Sequence, residues 1–126
     1  MKNILVFCFI ILGFTSVYSQ DTSKFYVYDS AQIMPSFPGD LNKWISNKIY
    51  YPDYELSHDI QGTVYVSFIV DKNGSVDSVK ISKGVWFNIN NEAVSVVSSM
   101  PKWSPGMQNG KPVRVRYVLP INFILQ

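Results

Sequence analysis

The chain has 126 residues, of which 47% are apolar, 15% aromatic and 16% charged. That length limits it to one modest domain, and the balance excludes a disordered tail while suiting a compact, sheet-rich fold. Its 11 Lys and Arg against 9 Asp and Glu leave a formal net charge of +2 on scattered positions, which excludes a protein built to neutralise phosphates, and nucleic acid with it.

Residues 1–19 read as a secretory signal: Lys2, an apolar run over residues 4–14, then Val17 and Ser19 ahead of an expected cut before Gln20. The rival is a retained membrane anchor, but residues 4–18 make only about 22 Å of helix against a hydrocarbon core of roughly 30 Å. Cys8, the only cysteine, lies inside this leader behind bulky Phe7, a poor setting for lipid attachment. Cleavage leaves no disulfide and no thiolate ligand, so burial alone must hold the remaining domain together.

Beyond the leader, Phe25 and Val27 alternate with Tyr26 and Tyr28 as a short edge strand, and residues 20–33 are expected to form an arm before a domain over residues 34–126. Asp40 is placed to cap a helix over residues 41–48, with Leu41, Trp44, Ile45 and the stem of Lys48 on one face. Tyr51-Pro52 ends it. Residues 62–70 put Val64, Val66, Phe68 and Val70 on one side and Thr63, Tyr65, Ser67 and Ile69 on the other, the pattern of a half-buried strand. Asp71-Lys72-Asn73-Gly74 turns the chain into a return strand over residues 75–82 with Val79 and Ile81 inward, and Val76 breaks the alternation as a bulge or a register adjustment at the turn would.

Asn90 or Asn91 is then expected to cap a helix lined by Ala93, Val96, Val97 and Met100, stopped by Pro101. Residues 102–110 read as a loop. In the closing strand Val113, Val115, Tyr117, Leu119, Ile121 and Phe123 recur every second residue, and Pro120, which cannot donate to a ladder, places it at a sheet edge or a kink.

Catalytic groups are missing or isolated, so the chain is not read as an enzyme. His58 is the only imidazole, and its neighbours Ser57 and Asp59 are contiguous in sequence, whereas a triad converges from separate segments. One nitrogen with loop carboxylates does not make a metal site. Asp53 with Glu55, and Asp71 with Asp77, could in principle pair as acid and base, but surface solvation accounts for both. No phosphate-binding glycine loop opens a helix and no cofactor is implied. Trp44, Trp86 and Trp103 read as core and lid packing rather than a ligand platform. Lys111, Arg114 and Arg116 read either as a solvated strand face or as a basic stripe for an acidic partner.

Laid end to end, Met34-Pro35-Ser36-Phe37-Pro38-Gly39, Tyr51-Pro52, the strand from Gly62, Val70-Asp71-Lys72-Asn73-Gly74, Glu92-Ala93, Met100-Pro101-Lys102-Trp103-Ser104-Pro105-Gly106, Asn109-Gly110-Lys111-Pro112-Val113 and Leu119-Pro120-Ile121-Asn122-Phe123 resemble the C-terminal domain of the TonB family in its Bacteroidetes form. The resemblance implies an α+β fold, a three-stranded antiparallel sheet with two helices packed on one face. It further implies a partner, the Ton box of TonB-dependent outer-membrane receptors, added as a strand beside the last strand of the domain. By position, Arg114, Val115, Arg116, Tyr117, Val118 and Leu119 would be the docking edge, with Tyr51 and Pro52 beside it. Glu55 stands where relatives often carry Ala and Asp59 where they carry Gly, which is expected to alter the face beside Tyr51 and the choice of partner. Ile89-Asn90 replaces a Leu-Asp pair and Asp40 a second glycine.

Two rivals stand beside an exported binding module. One is a true energy transducer whose uncleaved leader anchors it and links it to inner-membrane motor proteins; the other is a structural module whose homodimer forms through the same edge. With the leader removed, the arm before Met34 spans at most about 50 Å, too short a lever for an inner-membrane motor.

Overall fold

A computed structural model describes residues 26–125; the expected signal segment and the first residues of the arm lie outside the described residues. In chain order the elements are β1 (Val27–Tyr28), α1 (Leu41–Lys48), α2 (Asp53–Ser57), β2 (Gly62–Val70), β3 (Val76–Lys83), α3 (Phe87–Ser98), β4 (Gly106–Gln108) and β5 (Lys111–Phe123). The sheet runs β1-β5-β2-β3, with β4 also paired to β5. Its centre is the expected three-stranded antiparallel sheet of β5, β2 and β3. The two short strands β1 and β4 are additions to β5.

Alternation decides the core. Val64, Val66, Phe68 and Val70 of β2 meet Leu119, Ile121 and Phe123 of β5 on one face, and Ile45 of α1 with Ile89, Ala93 and Val97 of α3 close over them. Burying side chains of this size stabilises by about 1.5–3 kcal/mol each. The other face of β2 is less solvated than its pattern predicts, because Ser67 and Ile69 are buried too.

The helices form for local reasons that the sequence carries only in part. Asp40 accepts a hydrogen bond from the Lys43 N–H at 3.1 Å and so caps α1, and the Lys48 ammonium sits 5.9 Å from the Trp44 ring. Asn90 does not cap α3, nor does Asn91. The helix starts at Phe87 behind Trp86, and Asn90 instead accepts from the Val85 N–H at 2.9 Å, tying the strand exit to the first turn. Ile89 is thereby fully buried, and Met100 packs on the core from just past the helix.

Bulging also lies elsewhere than at Val76, which pairs regularly with Val70. The register slips between Ser67↔Lys80 and Ile69↔Asp77, where Ser78 takes a φ of 53°. This extra residue lets Val76 and Val79 both face the core. The expected loop over residues 102–110 contains β4, which the Asn109-Gly110 turn folds back on β5 with φ angles of 51° and 75°.

Candidate functional site

β5 is the longest strand, and its two sides differ. Along Gly62↔Phe123 to Val70↔Val115 it is laddered to β2 without interruption. On the side away from β2, β1 runs parallel and covers only Arg114 (opposite Val27) and Val115 (opposite Tyr28). β4 pairs with Lys111, Pro112 and Val113. Among the described residues, the side of residues 116–123 away from β2 has no strand partner. Pro120 belongs to this stretch, so this proline sits where the ladder is single.

The sequence-predicted docking segment is therefore split. Arg114 and Val115 are engaged by β1, whereas Arg116, Tyr117, Val118 and Leu119 open the free stretch. Tyr117 and Leu119 turn inward, Tyr117 stacking on Phe68 at 5.5 Å and packing edge-on to Trp103 at 5.0 Å. Arg116 and Val118 face outward, Val118 at 47% exposure. Arg114 is not a free charge for a partner, since its guanidinium lies 3.3 Å from Asp77 and 3.9 Å from Asp71. Arg116 reaches Asp29 at 3.4 Å.

Beside the far end of the free stretch, α1 and β5 leave a cavity of about 300 Å³ lined by Asn42, Ile45, Ser46 and Ile49 on one side and Pro120, Ile121 and Asn122 on the other. Sequence reasoning missed the α1 residues. Asn42, Ser46 and Ile49 recur at helical spacing next to the core position Ile45, but that pattern alone does not tell that a strand backbone lies opposite.

Tyr51 and Pro52 are placed close by, yet as supports. Pro52 is buried at the start of α2. The Tyr51 ring packs edge-on against Phe123 at 5.7 Å, and its hydroxyl donates to the Ile60 carbonyl. Burial raises the Tyr51 phenol above its ordinary value of 10.0, with the carboxylates of Asp59 and then Glu55 adding to the shift. The fold therefore holds this proton to higher pH than the unfolded chain does. The associated stability is whole below pH 10 and is lost as pH climbs through the folded value. The urea midpoint is expected to fall above pH 10, and Tyr51→Phe to flatten that decline, followed by tryptophan fluorescence at graded pH.

Glu55 acts on Tyr51 from the interior and not, as expected, from an exposed face beside it. It is fully buried in α2, a helix absent from the sequence reading, and accepts from the Asn88 side-chain amide at 3.0 Å. It ties α2 to α3 instead of meeting a partner. Asp59, exposed, adopts a φ of 56°, the left-handed region that Gly enters most easily and Asp more readily than most other residues. The carboxylate pairs are likewise structural rather than simply solvated: Glu55 is interior, and Asp71 and Asp77 both hold Arg114.

His58 is exposed at the end of α2, stacked on Tyr54 at 4.1 Å, with Nδ1 2.7 Å from the Tyr54 carbonyl and 3.2 Å from the Ser57 hydroxyl. Among the described residues no carboxylate hydrogen-bonds to its ring. Among the described residues no group of three or more His, Cys, Asp and Glu comes together as a metal site. Trp103 is in the core, Trp44 packs on Phe37 at 5.7 Å and Trp86 is half-exposed, so they form no common platform. What the free stretch offers chemically is main-chain N–H and C=O groups, the unit of strand addition.

The family model described as Gram-negative bacterial TonB protein C-terminal matches residues 47–125. Among curated proteins none matches the chain. Two solution structures of the Helicobacter pylori TonB C-terminal domain superpose with TM-scores of 0.51, at 27% and 28% identity, covering 66% and 71% of this chain and 87% of each of theirs. That of the Pseudomonas aeruginosa TonB C-terminal domain superposes at 0.52 with 19% identity, covering 80% of this chain and 94% of its own, a likeness of fold. No described helix is long and apolar enough to cross a membrane.

Proposed function

Because the chain belongs to the family of Gram-negative bacterial TonB C-terminal domains, which takes part in TonB-dependent transport, we propose that it is a periplasmic protein-binding module. It captures the Ton-box segment of a TonB-dependent outer-membrane receptor by β-augmentation along β5 and serves energy-coupled nutrient uptake without catalysing a reaction. The observation that carries this reading is the single-sided ladder of residues 116–123. Main-chain groups there need a partner or water, and an extended peptide satisfies them while its alternate side chains meet Val118 on one face and the α1 cavity at the far end.

Titrating the protein with synthetic receptor N-terminal peptides, followed by backbone amide shifts, is expected to move the signals of residues 116–123. Methylating alternate peptide nitrogens of the guest is expected to weaken binding roughly tenfold at each bonded position, because one main-chain hydrogen bond is lost and its acceptor stranded. Methylation between those positions leaves affinity nearly unchanged. No shift at about millimolar peptide, a range where even weak recognition is visible, counts against the reading. A dimer mass without peptide, abolished by Val115→Pro, would assign the edge to self-pairing instead.

A further inference from the structure

We propose that β1 is a resident occupant of the docking edge, a strand of this same chain that an incoming segment must displace to reach Arg114 and Val115. The inference rests on the docking reading above. β1 lies on the side of β5 away from β2, parallel to it, and stops where the free stretch begins. Asp29, the next residue, lays its carboxylate 3.4 Å from Arg116, the first side chain of that stretch. A guest strand that pairs with Val115, or that offers its own acid to Arg116, cannot coexist with this arrangement.

The occupant is held weakly and its tether strongly. Two register pairs and the Asp29–Arg116 contact tie it to β5, while the edge contact between Tyr26 and Tyr28 at 4.7 Å lies within the segment itself. The Asp29 carboxylate is 90% exposed, so its ion pair is screened by water. A cavity of about 270 Å³ opens between Tyr26, Tyr28, Lys72, Lys111 and Arg114, so the side chains of the segment are incompletely packed against the turn and β5. Neither Val27 nor Tyr28 belongs to the core.

The chain that follows is stitched down. Ile33 exchanges hydrogen bonds with Met107 at 3.1 and 2.8 Å and Ser36 with Ser104 at 3.0 and 2.8 Å. The Gln32 N–H donates to the Gln108 side chain at 2.9 Å, and the Gln32 side-chain carbonyl accepts from the Asn109 N–H at 2.8 Å. Among the described residues, residues 27–29 can therefore detach without breaking the hydrogen bonds of the chain that follows, and once detached they stay at high local concentration beside the edge. Such an occupant lowers the apparent affinity of every guest by the fraction of time the edge is covered. It favours segments long enough, or acidic enough opposite Arg116, to replace what they remove.

The test compares the native protein with Val27→Pro/Tyr28→Pro, which removes two N–H donors, and with Asp29→Lys, which leaves the backbone intact but sets a cation against Arg116. All three are titrated with one synthetic receptor N-terminal peptide of roughly ten residues, long enough at about 3.3 Å per residue to run past Arg116 to Val115. The double proline variant is expected to bind about tenfold more tightly and Asp29→Lys about threefold. Thermal midpoints should stay close to native, since no core residue changes. Native binding with an unchanged Kd in both variants overturns the resident strand and leaves the docking reading standing. Binding by none of the three overturns both.

Discussion

Gly74→Ala is expected to destabilise the fold by about 3 kcal/mol, read as a lowered urea midpoint with unchanged slope. Gly74 holds a φ of 89° in the turn between β2 and β3, a conformation L side chains rarely adopt. An added Cβ would lie 2.0 Å from the Trp103 carbonyl oxygen, which as backbone cannot rotate away. The same two residues are joined by the Trp103 N–H donating to the Gly74 carbonyl at 2.8 Å. Relieving the clash therefore breaks that bond or pushes Trp103 off its neighbours, Phe37 at 5.6 Å, Phe68 at 5.5 Å and Tyr117 at 5.0 Å. Strain of about 1–3 kcal/mol at the turn and a similar cost of overpacking set the size of the effect. A change of less than about 0.5 kcal/mol, the range of an inconsequential surface substitution, would show that the turn is not locked to Trp103 as described.

Phe68→Ala is expected to cost about 3–5 kcal/mol, the range for removing a buried aromatic ring. Phe68 is fully buried in the second half of β2 and contacts both Trp103 and Tyr117. The cavity left behind cannot collapse, because β2 is laddered on both sides, to β3 and to β5. Against a total stability of about 5–15 kcal/mol for a domain, such a loss brings the unfolded form close to population at physiological temperature. The effect should reach the docking edge as well, since Tyr117 loses the ring it stacks on. Calorimetry reads the stability. Near-ultraviolet circular dichroism reads the loosening of the Trp103 cluster, and a near-native spectrum with less than about 1 kcal/mol lost, well below the cost of a ring deletion, would contradict this account of the core.

The same residues explain what could be read from the chain and what could not. β2 and the inward face of β5 were legible because a period of two over many residues has one reading, and the inward residues it names line the core or pack on it, except Val113, which is half-buried beside β4. α1 was legible through its cap and its apolar spacing. α3 was misplaced at its start because Asn90 looks like a cap; the side chain does accept a backbone N–H, but that of Val85, reaching back to the strand exit. α2 is too short for a periodicity to show, although Pro52 followed by Asp53 and Glu55 is the composition of a helix start. Asn109-Gly110 is a hairpin signal in its own right, and reading it within a loop hid β4.

For the site, the last strand was legible, and its partial coverage was not. β1 pairs with residues more than 80 positions away in a parallel register, and no local pattern encodes such a meeting. The burial of Glu55 was equally hidden, because a carboxylate in a polar stretch is ordinarily solvated and only the fold brings Asn88 to it.

The slipped register of β3 bears on how copies of this protein meet. A sheet of this kind has two rims, and the second, along β3, is kinked at Ser78 and carries Lys80 and Lys83, features that hinder a flat strand from lying against it. Among the described residues only one rim is receptive. If two molecules join through it, each consumes the other's receptive rim and growth ends at a pair, so the fold can expose an unfinished ladder without seeding a filament.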